Sequence, residues 1–191
     1  MKVELLKPRK NITLEPKEDT QYIVIPKDET SVDIILNKKG VTVELLALFA
    51  LKDSESVSLF TKSVHKVPHT TCTVSVKGAL FDSSASNYIG KIIIEKPAQQ
   101  TVSYLEDNIL SIGNKTKNAS QPILEIEADD VKASHGATTG RIDADQIYYL
   151  MSRGLSKQDA EKVVILGFFE ALLSQVQDEE VKDKVRKKLN I

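Results

Sequence analysis

His135 is a candidate for chemistry because its side chain can take part in metal binding or in hydrogen bonding. A neutral imidazole can bind iron or one edge of a metal cluster, and it can also donate and accept hydrogen bonds at a protein interface. The chain has only three histidines, and a lone histidine seldom forms a site by itself. We expect His135 to lie after the last strand, between Asp129-Asp130 and a turn over residues 136–140. The residues alone therefore favour a histidine whose ring nitrogens tie that turn to the backbone.

His65, His69 and Cys72 have a spacing that resembles a set of metal ligands. On a helix the two histidines would share a face, but Pro68 lies between them and the surrounding residues are of β type. On a continuous strand the two histidines would share one face and Cys72 would point to the other. This geometry favours a structural or corner role over metal binding. Cys72 has no basic neighbour to lower its pKa, so we expect a small apolar filler and not a nucleophile.

Two further patterns bear on enzymatic function. Glu125, Glu127 and Asp129 alternate onto one face, as the acids of a polysaccharide-cleaving β-helix enzyme would, although such runs are usually the solvated side of a strand. The segment Gly113–Thr116 resembles a phosphate-binding loop only superficially, because its glycine does not adjoin Lys115 and an upstream glycine is missing. We therefore expect ATP handling to belong to another chain.

The elements that would position these groups are mostly strands, from Asn11 to Ile126. Apolar and polar residues alternate in short runs, at a spacing of roughly 8–12 residues that suits a sandwich, a barrel or a solenoid. Small residues near the apolar runs favour stacked coils, although no strict period repeats. The expected strands cover residues 11–14, 21–25, 31–36, 41–46, 56–60, 72–76, 91–95 and 123–127.

Beyond Gly140 the periodicity becomes helical. Asp143 is placed to cap a first short helix that ends at Gly154, and Ser156 is placed to cap a second helix that runs to about Val176. A third helix is expected in the tail, where acidic residues come first and basic residues last. The second helix is expected to bury an apolar stripe of Ala160, Val163, Val164, Gly167, Phe168, Ala171 and Leu172.

Composition limits the function classes. The 26 basic and 27 acidic residues give a formal net charge of −1. This near-neutral balance argues against non-specific electrostatic binding to nucleic acid or to an anionic membrane. The start of the chain has no apolar targeting segment, and the longest apolar run, Leu45–Leu51, is far shorter than the ~20 residues that cross a bilayer. We expect a cytoplasmic protein with a β core over residues 1–140 and a helical domain over residues 141–191.

Residues 124–154 closely resemble the C-terminal signature of the SufB/SufD family, the scaffold proteins of the SUF iron–sulfur cluster assembly system. Their sequence is LEIEADDVKASHGATTGRIDADQIYYLMSRG. The resemblance covers about residues 60–175, through the segments 64–71, 76–80, 90–94, 107–111 and 160–173. It implies a right-handed parallel β-helix followed by a small helical domain.

The resemblance is to the SufD version of the signature. The triplet Ser134-His135-Gly136 stands where SufB usually has Glu-His-Glu, and Glu106 or a neighbour stands where SufB carries a cysteine. The chain is therefore identified as SufD-like and as lacking the thiol of SufB. It is also short, because family members are commonly more than twice as long and have more coils before the matching part.

The resemblance implies a scaffold that is not an enzyme and that binds no cofactor permanently. His135 would face a SufB-like subunit, or a second copy of the chain, at an interface that holds a transient iron–sulfur cluster or iron, with the other ligands supplied by the partner. The helical region would dock the ABC-type ATPase SufC through an aromatic-rich surface of Tyr148, Tyr149, Met151, Arg153, Phe168 and Phe169. The alternatives are a polysaccharide-acting β-helix enzyme, and a degenerate platform that binds SufC without cluster chemistry.

Overall fold

The computed structural model of the chain describes residues 1–190, which form eleven strands followed by three helices. The strands are β1 (Lys2–Leu5), β2 (Asn11–Leu14), β3 (Thr20–Val24), β4 (Asp28–Leu36), β5 (Thr42–Leu51), β6 (Ser56–His65), β7 (Thr71–Leu80), β8 (Ala85–Ile94), β9 (Thr101–Ser111), β10 (Lys117–Ile126) and β11 (Val131–Arg141). The helices are α1 (Ala144–Ser152), α2 (Lys157–Leu173) and α3 (Glu179–Leu189).

The strands form two parallel sheets, and the chain alternates between them. Sheet A contains β1, β3, β5, β7, β9 and β11 in that order, and sheet B contains β2, β4, β6, β8 and β10. Thr42 of β5 pairs with Thr71 of β7, which pairs with Val102 of β9, in steps of 29 and 31 residues. Each coil therefore stacks on the previous one. The predicted parallel β-helix is confirmed as a parallel β-solenoid.

All eight predicted strands overlap observed ones, but β1, β9 and β11 were not predicted. In β9, Asp107 interrupts the apolar alternation, although it occupies an inward-facing position between Leu105 and Ile109. In β11 the inward positions hold small and polar residues because no further coil covers them. Both strands are stabilised by hydrogen bonds to a neighbouring coil. The alternation of residues within a strand gives no information about such long-range pairing.

The space between the two sheets is filled by alternate side chains of each strand. Ile34, Val43, Leu45, Val74 and Ile92 are all buried in this interior cluster. Removing each such side chain from water contributes about 1.5–3 kcal/mol. The interior is therefore the main source of stability of the solenoid and holds the strand register against slippage.

Helices α2 and α3 pack against the outer face of sheet A. Leu46, Leu48 and Ala79 point outward from β5 and β7 and form a second buried cluster with residues of α2 and α3. Arg186 of α3 is also paired with Glu170 of α2, through Nε to Oε1 at 2.7 Å and Nη2 to Oε2 at 2.9 Å. The end of the solenoid therefore stays uncovered by the helices.

The predicted starts of the first two helices are confirmed, and the third helix also begins at a capping side chain. The side chains of Asp143, Ser156 and Asp178 each accept a hydrogen bond from a backbone N–H in the first turn of α1, α2 and α3. Gly154 has φ +96°, as expected for the residue that follows a helix. No helix among these residues has both the length and the apolar character needed to cross a lipid bilayer.

The predicted buried stripe of α2 is largely wrong. The buried residues are Ala160, Ile165, Phe169, Leu172 and Leu173, so the buried face is rotated from the predicted one, and Val163 is 47% exposed. Apolar residues surround this helix on most sides, and for that reason periodicity alone does not select the face that meets the sheet.

Candidate functional site

The last coil leaves both sheets with an unpaired edge at the same end of the solenoid. β11 is the terminal strand of sheet A and β10 is the terminal strand of sheet B. No strand among residues 1–190 pairs with the sides of β10 and β11 that face away from the solenoid. An unpaired strand of this kind offers backbone N–H and C=O groups to another chain. We call this region, formed by β10 and β11, the open end.

His135 lies in the middle of β11. The predicted position after the last strand is therefore wrong, and residues 136–140 continue the strand instead of forming a turn. The register pairs His135 with Leu105 of β9, whose side chain is buried in the solenoid interior. Because paired positions share a face, His135 belongs to the inward row. It is exposed only because no further coil stacks over it.

Glu106 lies beside this row but on the other face of sheet A. It pairs with Gly136, and its Oε1 accepts a hydrogen bond of 2.8 Å from the Nδ2 of Asn108. The Oδ1 of Asn108 in turn accepts a hydrogen bond of 2.5 Å from the Oγ1 of Thr138. Glu106, which stands where SufB is expected to carry a cysteine, therefore points to the outer face of sheet A. His135 points to the inner face, so the two side chains do not share a face.

Asp107, on β9 directly beneath the open end, is a residue that sequence reasoning missed. It pairs with Ala137, two residues beyond His135 in the inward row, and is fully buried. Neither carboxylate oxygen has a hydrogen-bond partner among residues 1–190, and the same holds for the hydroxyl of Ser120 on β10. Burial raises the pKa of Asp107 to about 6, partly offset by the nearby Ser120 hydroxyl. Alternation with Leu105 and Ile109 is the sequence signal that could have identified this buried acid.

His65 sits at a closed corner deeper in the solenoid and is fully buried. Its Nδ1 lies 2.7 Å from the Oγ1 of Thr70, and its Nε2 lies 3.1 Å from the Oγ of Ser103. Burial lowers the pKa of His65 to about 4, so the ring is neutral at pH 7 and bridges two coils by hydrogen bonds. This geometry supports the structural role expected for it.

The three residues that resemble metal ligands do not lie on one continuous strand, and they surround a corner of the solenoid, in agreement with the expected structural or corner role. His65 ends β6 in sheet B, Cys72 belongs to β7 in sheet A, and the exposed His69 lies in the turn between them with φ +60°. Cys72 is fully buried, and burial raises its pKa to about 12. Among residues 1–190 no three His, Cys, Asp or Glu side chains are grouped so that they could hold a metal ion.

The carboxylates considered for polysaccharide cleavage do not form a ladder. Glu125 is the only one of the three inside β10, and its Oε1 is paired with the Nζ of Lys91 at 2.6 Å. Glu127 and Asp129 follow the strand and are exposed. The expected alternation of three acids onto one strand face is therefore wrong, and the polysaccharide hypothesis loses its geometric support.

The residues of the expected aromatic-rich surface are exposed on α1 but partly or fully buried on α2. α1 buries none of its residues, and Tyr148, Tyr149 and Met151 are exposed by 74%, 57% and 43%. Arg153 places an Nη2 3.2 Å from the Oη of Tyr149. On α2, Leu166 is 43% exposed, an apolar residue that sequence reasoning did not assign to this surface.

The two phenylalanines expected on that surface behave differently. Phe169 is fully buried in the cluster between α2 and sheet A, so the expectation that it contacts a partner is wrong. Phe168 is half-buried, and the Nζ of Lys77 lies 4.7 Å from its ring centroid. The exposed docking candidates are therefore Tyr148, Tyr149, Met151 and Arg153, with Phe168 at their margin.

A protein-family model described as "SUF system FeS cluster assembly, SufBD core domain" matches residues 28–168. The matched region contains most of the solenoid, the open end and the first two helices up to Phe168.

Curated relatives agree with this match. The "Iron-sulfur cluster assembly protein SufD" of Escherichia coli (strain K12) is 40% identical over 109 residues, which is 57% of this chain and 26% of that protein. The protein of the same name from Bacillus subtilis (strain 168) is 39% identical over 108 residues, 56% of this chain and 25% of that protein. An iron-sulfur cluster assembly SufBD family protein of Mycobacterium leprae (strain TN) is 29% identical over 163 residues, 81% of this chain and 42% of that protein. The matches thus span about a quarter of the two SufD proteins.

Proposed function

This chain belongs to the SufBD family of the SUF iron–sulfur cluster assembly system, and we propose that it acts there as a SufD-like scaffold subunit and not as an enzyme. In this proposal its open end pairs with a SufB-like subunit, or with a second copy of the chain, and its helical region docks a SufC-type ATPase. It would work in the cytoplasm, without a permanently bound cofactor. The observation that carries the proposal is the position of His135 on the inward row of the unpaired strand β11.

The open end is suited to pairing because both sheets stop there together. A partner that added a strand to β10 or β11 would satisfy backbone groups that now face solvent. It would also cover the inward row and so bury His135 between two solenoids. A site made in this way exists only in the assembled complex, as expected for a carrier that holds its cargo transiently.

The remaining ligands of a cluster would come from the partner. One imidazole does not hold an iron–sulfur cluster, which is normally bound by several cysteine thiolates. The one thiol of this chain, Cys72, is fully buried with its pKa raised to about 12, so it does not serve as a thiolate ligand at neutral pH. The proposal therefore needs a partner that brings a cysteine to the open end.

The docking of SufC is supported by the character of α1. Clustered exposed apolar and aromatic side chains often mark an interaction surface. In this one short helix Tyr148 and Tyr149 leave more than half of their surface in water, and Met151 is also exposed. Tyrosine and arginine are enriched among the residues that contribute most to binding at protein interfaces. The Tyr149–Arg153 contact, at 3.2 Å, supplies both types together.

Anaerobic co-purification tests the proposal. The tagged chain would be expressed with candidate SufB-type and SufC-type partners, and bound iron and sulfide would be measured for the wild type and for His135→Ala. We expect the variant to retain both partners and to lose the cluster. Glu127→Gln, a change at an exposed carboxylate just beyond β10, is the matched control and should retain both.

Three other outcomes would count against parts of the proposal. A cluster that persists in His135→Ala would return this histidine to a structural role. A wild-type complex that contains SufC but never iron would favour the degenerate platform. Failure to retain either partner would overturn the scaffold proposal itself.

A further inference from the structure

A groove of about 360 Å³ is lined by residues of α2, of α3 and of the sheet A side of the solenoid. Its walls are mostly apolar, and the apolar side chains that form them are Ala50, Phe81, Ile165, Leu166 and Leu189. We call this cavity the apolar groove. Its volume is in the lower part of the range of about 300–1,000 Å³ that small-molecule sites occupy, so it has room for one small ligand.

The charged residues that line the apolar groove are both lysines, Lys52 and Lys162, and no acidic residue among residues 1–190 lines it with them. The Nζ of Lys52 lies 5.8 Å from the centroid of the Phe81 ring, so its charge lies close to one apolar wall. Within the described part of the chain Lys52 forms no ion pair. Lys162 is held only loosely by Asp159, with its Nζ 3.8 Å from Oδ1 and its side chain 76% exposed. An apolar cavity with two such cations is complementary to a ligand that has an apolar body and one negative charge.

A neighbouring groove shows that this charge pattern is not common to every cavity beside α3. It has the same volume, about 360 Å³, and shares Ala50 and Leu189 with the apolar groove. Its charged lining residues form two pairs of opposite sign: Lys27, Lys188, Asp28 and Glu55. Because these charges balance, the neighbouring groove does not select an anion. The uncompensated positive charge is therefore specific to the apolar groove.

We propose that the apolar groove binds a medium-chain aliphatic monocarboxylate, with the carboxylate at Lys52 and Lys162 and the alkyl chain against Leu166 and the other apolar walls. Burial of the chain supplies most of the binding free energy. The lysine ammonium groups are compact charges, and they favour a carboxylate over a neutral or cationic head group. A ligand in this position contacts α2, α3 and sheet A together, so it stabilises the helical region on the solenoid. The site is formed within one chain and uses none of the docking candidates, so it does not depend on the proposed function.

Equilibrium dialysis of the purified full chain against decanoate, below the concentration at which decanoate forms micelles, tests the inference. We expect the wild type to bind one equivalent saturably and to melt at a higher temperature when decanoate is present. Lys52→Met and Lys162→Met keep the apolar stem and remove the charge, so each should weaken binding about two- to fivefold, and the double variant about tenfold. Leu166→Ser removes apolar contact with the chain and should weaken binding by about fivefold or more.

Two controls separate the site from non-specific binding. Lys188→Met removes a cation from the neighbouring groove and should bind decanoate like the wild type. Decylamine has the same chain length and a positive charge, so it should bind the wild type about tenfold more weakly than decanoate. All four substituted residues are exposed, and circular dichroism would confirm that each variant is folded. The inference is overturned if the double lysine variant binds decanoate as tightly as the wild type, if decylamine binds equally well, or if the wild type binds none.

Other occupants of the apolar groove would give different results. A second copy of the chain would appear in analytical ultracentrifugation as a dimer that Leu166→Ser dissociates. A SufC-type ATPase seated in the groove would co-purify with the wild type and not with Leu166→Ser. Either result, in a chain that binds no decanoate, would overturn the carboxylate site. A chain that binds decanoate but retains no SUF partner would instead count against the proposed function alone.

Discussion

Two polar residues of the same solenoid interior, His65 and Asp107, differ in how they are accommodated. His65 lies between complete coils, and both of its ring nitrogens have hydroxyl partners at 2.7 and 3.1 Å. Asp107 lies on β9, beneath the terminal strand β11, and neither of its oxygens has a partner among residues 1–190. A closed coil allows the fold to satisfy a buried polar group, and the group then contributes to stability. At the open end the same fold leaves polar groups exposed or unsatisfied, as expected where binding and not stability is the task.

The first prediction concerns the closed corner and carries the largest effect. His65→Ala should lower the free energy of unfolding by about 3–4 kcal/mol, because it leaves a cavity and removes the partners of Thr70 and Ser103. Urea unfolding monitored by circular dichroism would measure the change.

His69→Ala is the matched control for this variant. His69 is exposed in the adjacent turn, so its replacement should change the free energy by no more than about 0.5 kcal/mol. Equal effects of the two substitutions would mean that the corner network contributes nothing.

The second prediction concerns the open end, where removing the charge should stabilise the protein. In the folded chain Asp107 has its pKa raised from 3.8 to about 6, so the folded state holds the proton more tightly than the unfolded state. Stability attributable to this group is therefore present below about pH 4 and is lost as the pH rises toward 6. At 1.36 kcal/mol per pKa unit the loss is about 3 kcal/mol, so Asp107→Asn should be more stable than the wild type by about 2–3 kcal/mol at pH 7.

The difference in stability between the wild type and Asp107→Asn should depend on pH, and in the opposite sense to the contribution of His65. The advantage of Asp107→Asn should disappear near pH 4, as measured by urea unfolding at several pH values. His65 should act in the opposite sense, because its lowered pKa of about 4 makes its contribution present above pH 6.5 and lost as the pH falls toward 4. A wild type and Asp107→Asn that differ by the same amount at pH 4 and pH 7 would contradict the buried, unpaired carboxylate.

The third prediction concerns the exposed helix α1, where a substitution should have the smallest effect on stability. Tyr148→Ala should change the free energy of unfolding by less than about 0.5 kcal/mol, because this side chain is 74% exposed. It should nonetheless reduce the amount of SufC-type ATPase that co-purifies with the chain, by removing an interface aromatic.

Tyr104→Ala is the control for SufC docking, since Tyr104 is 37% exposed on β9 and lies outside the cluster that sheet A forms with α2 and α3. It should leave the SufC yield unchanged. Loss of SufC in the Tyr104 variant but not in the Tyr148 variant would move the docking surface from α1 to the solenoid.

Much of the architecture could be predicted because its causes are local. Alternation marked eight of the eleven strands, the capping side chains of Asp143 and Ser156 marked two helix starts, and the order of acidic and basic residues marked the third helix. The signature around His135 identified the family, since the residues of such a motif are contiguous in the sequence. Each of these signals acts within a few residues of the chain, and single-sequence patterns record interactions of that range.

The positions of the candidate site residues are set by contacts between coils. A single sequence gives no information about those contacts, so these positions could not be predicted. His135 became an inward-facing residue of an exposed strand only through its register with Leu105, 30 residues earlier. Asp107 became a buried, unpartnered acid for the same reason. The separation of His65 from Cys72 into different sheets and the burial of Phe169 against sheet A were likewise decided by packing.

The sequence by itself therefore determined eight of the eleven strands, two helix caps and the family, because short-range hydrogen bonding and side-chain alternation specify them. Only the tertiary structure decided which side chains share the solenoid interior and where that interior is left open. The physical reason is that strand pairing joins residues 18 to 32 positions apart, and its register is set by the burial of apolar side chains from several coils at once.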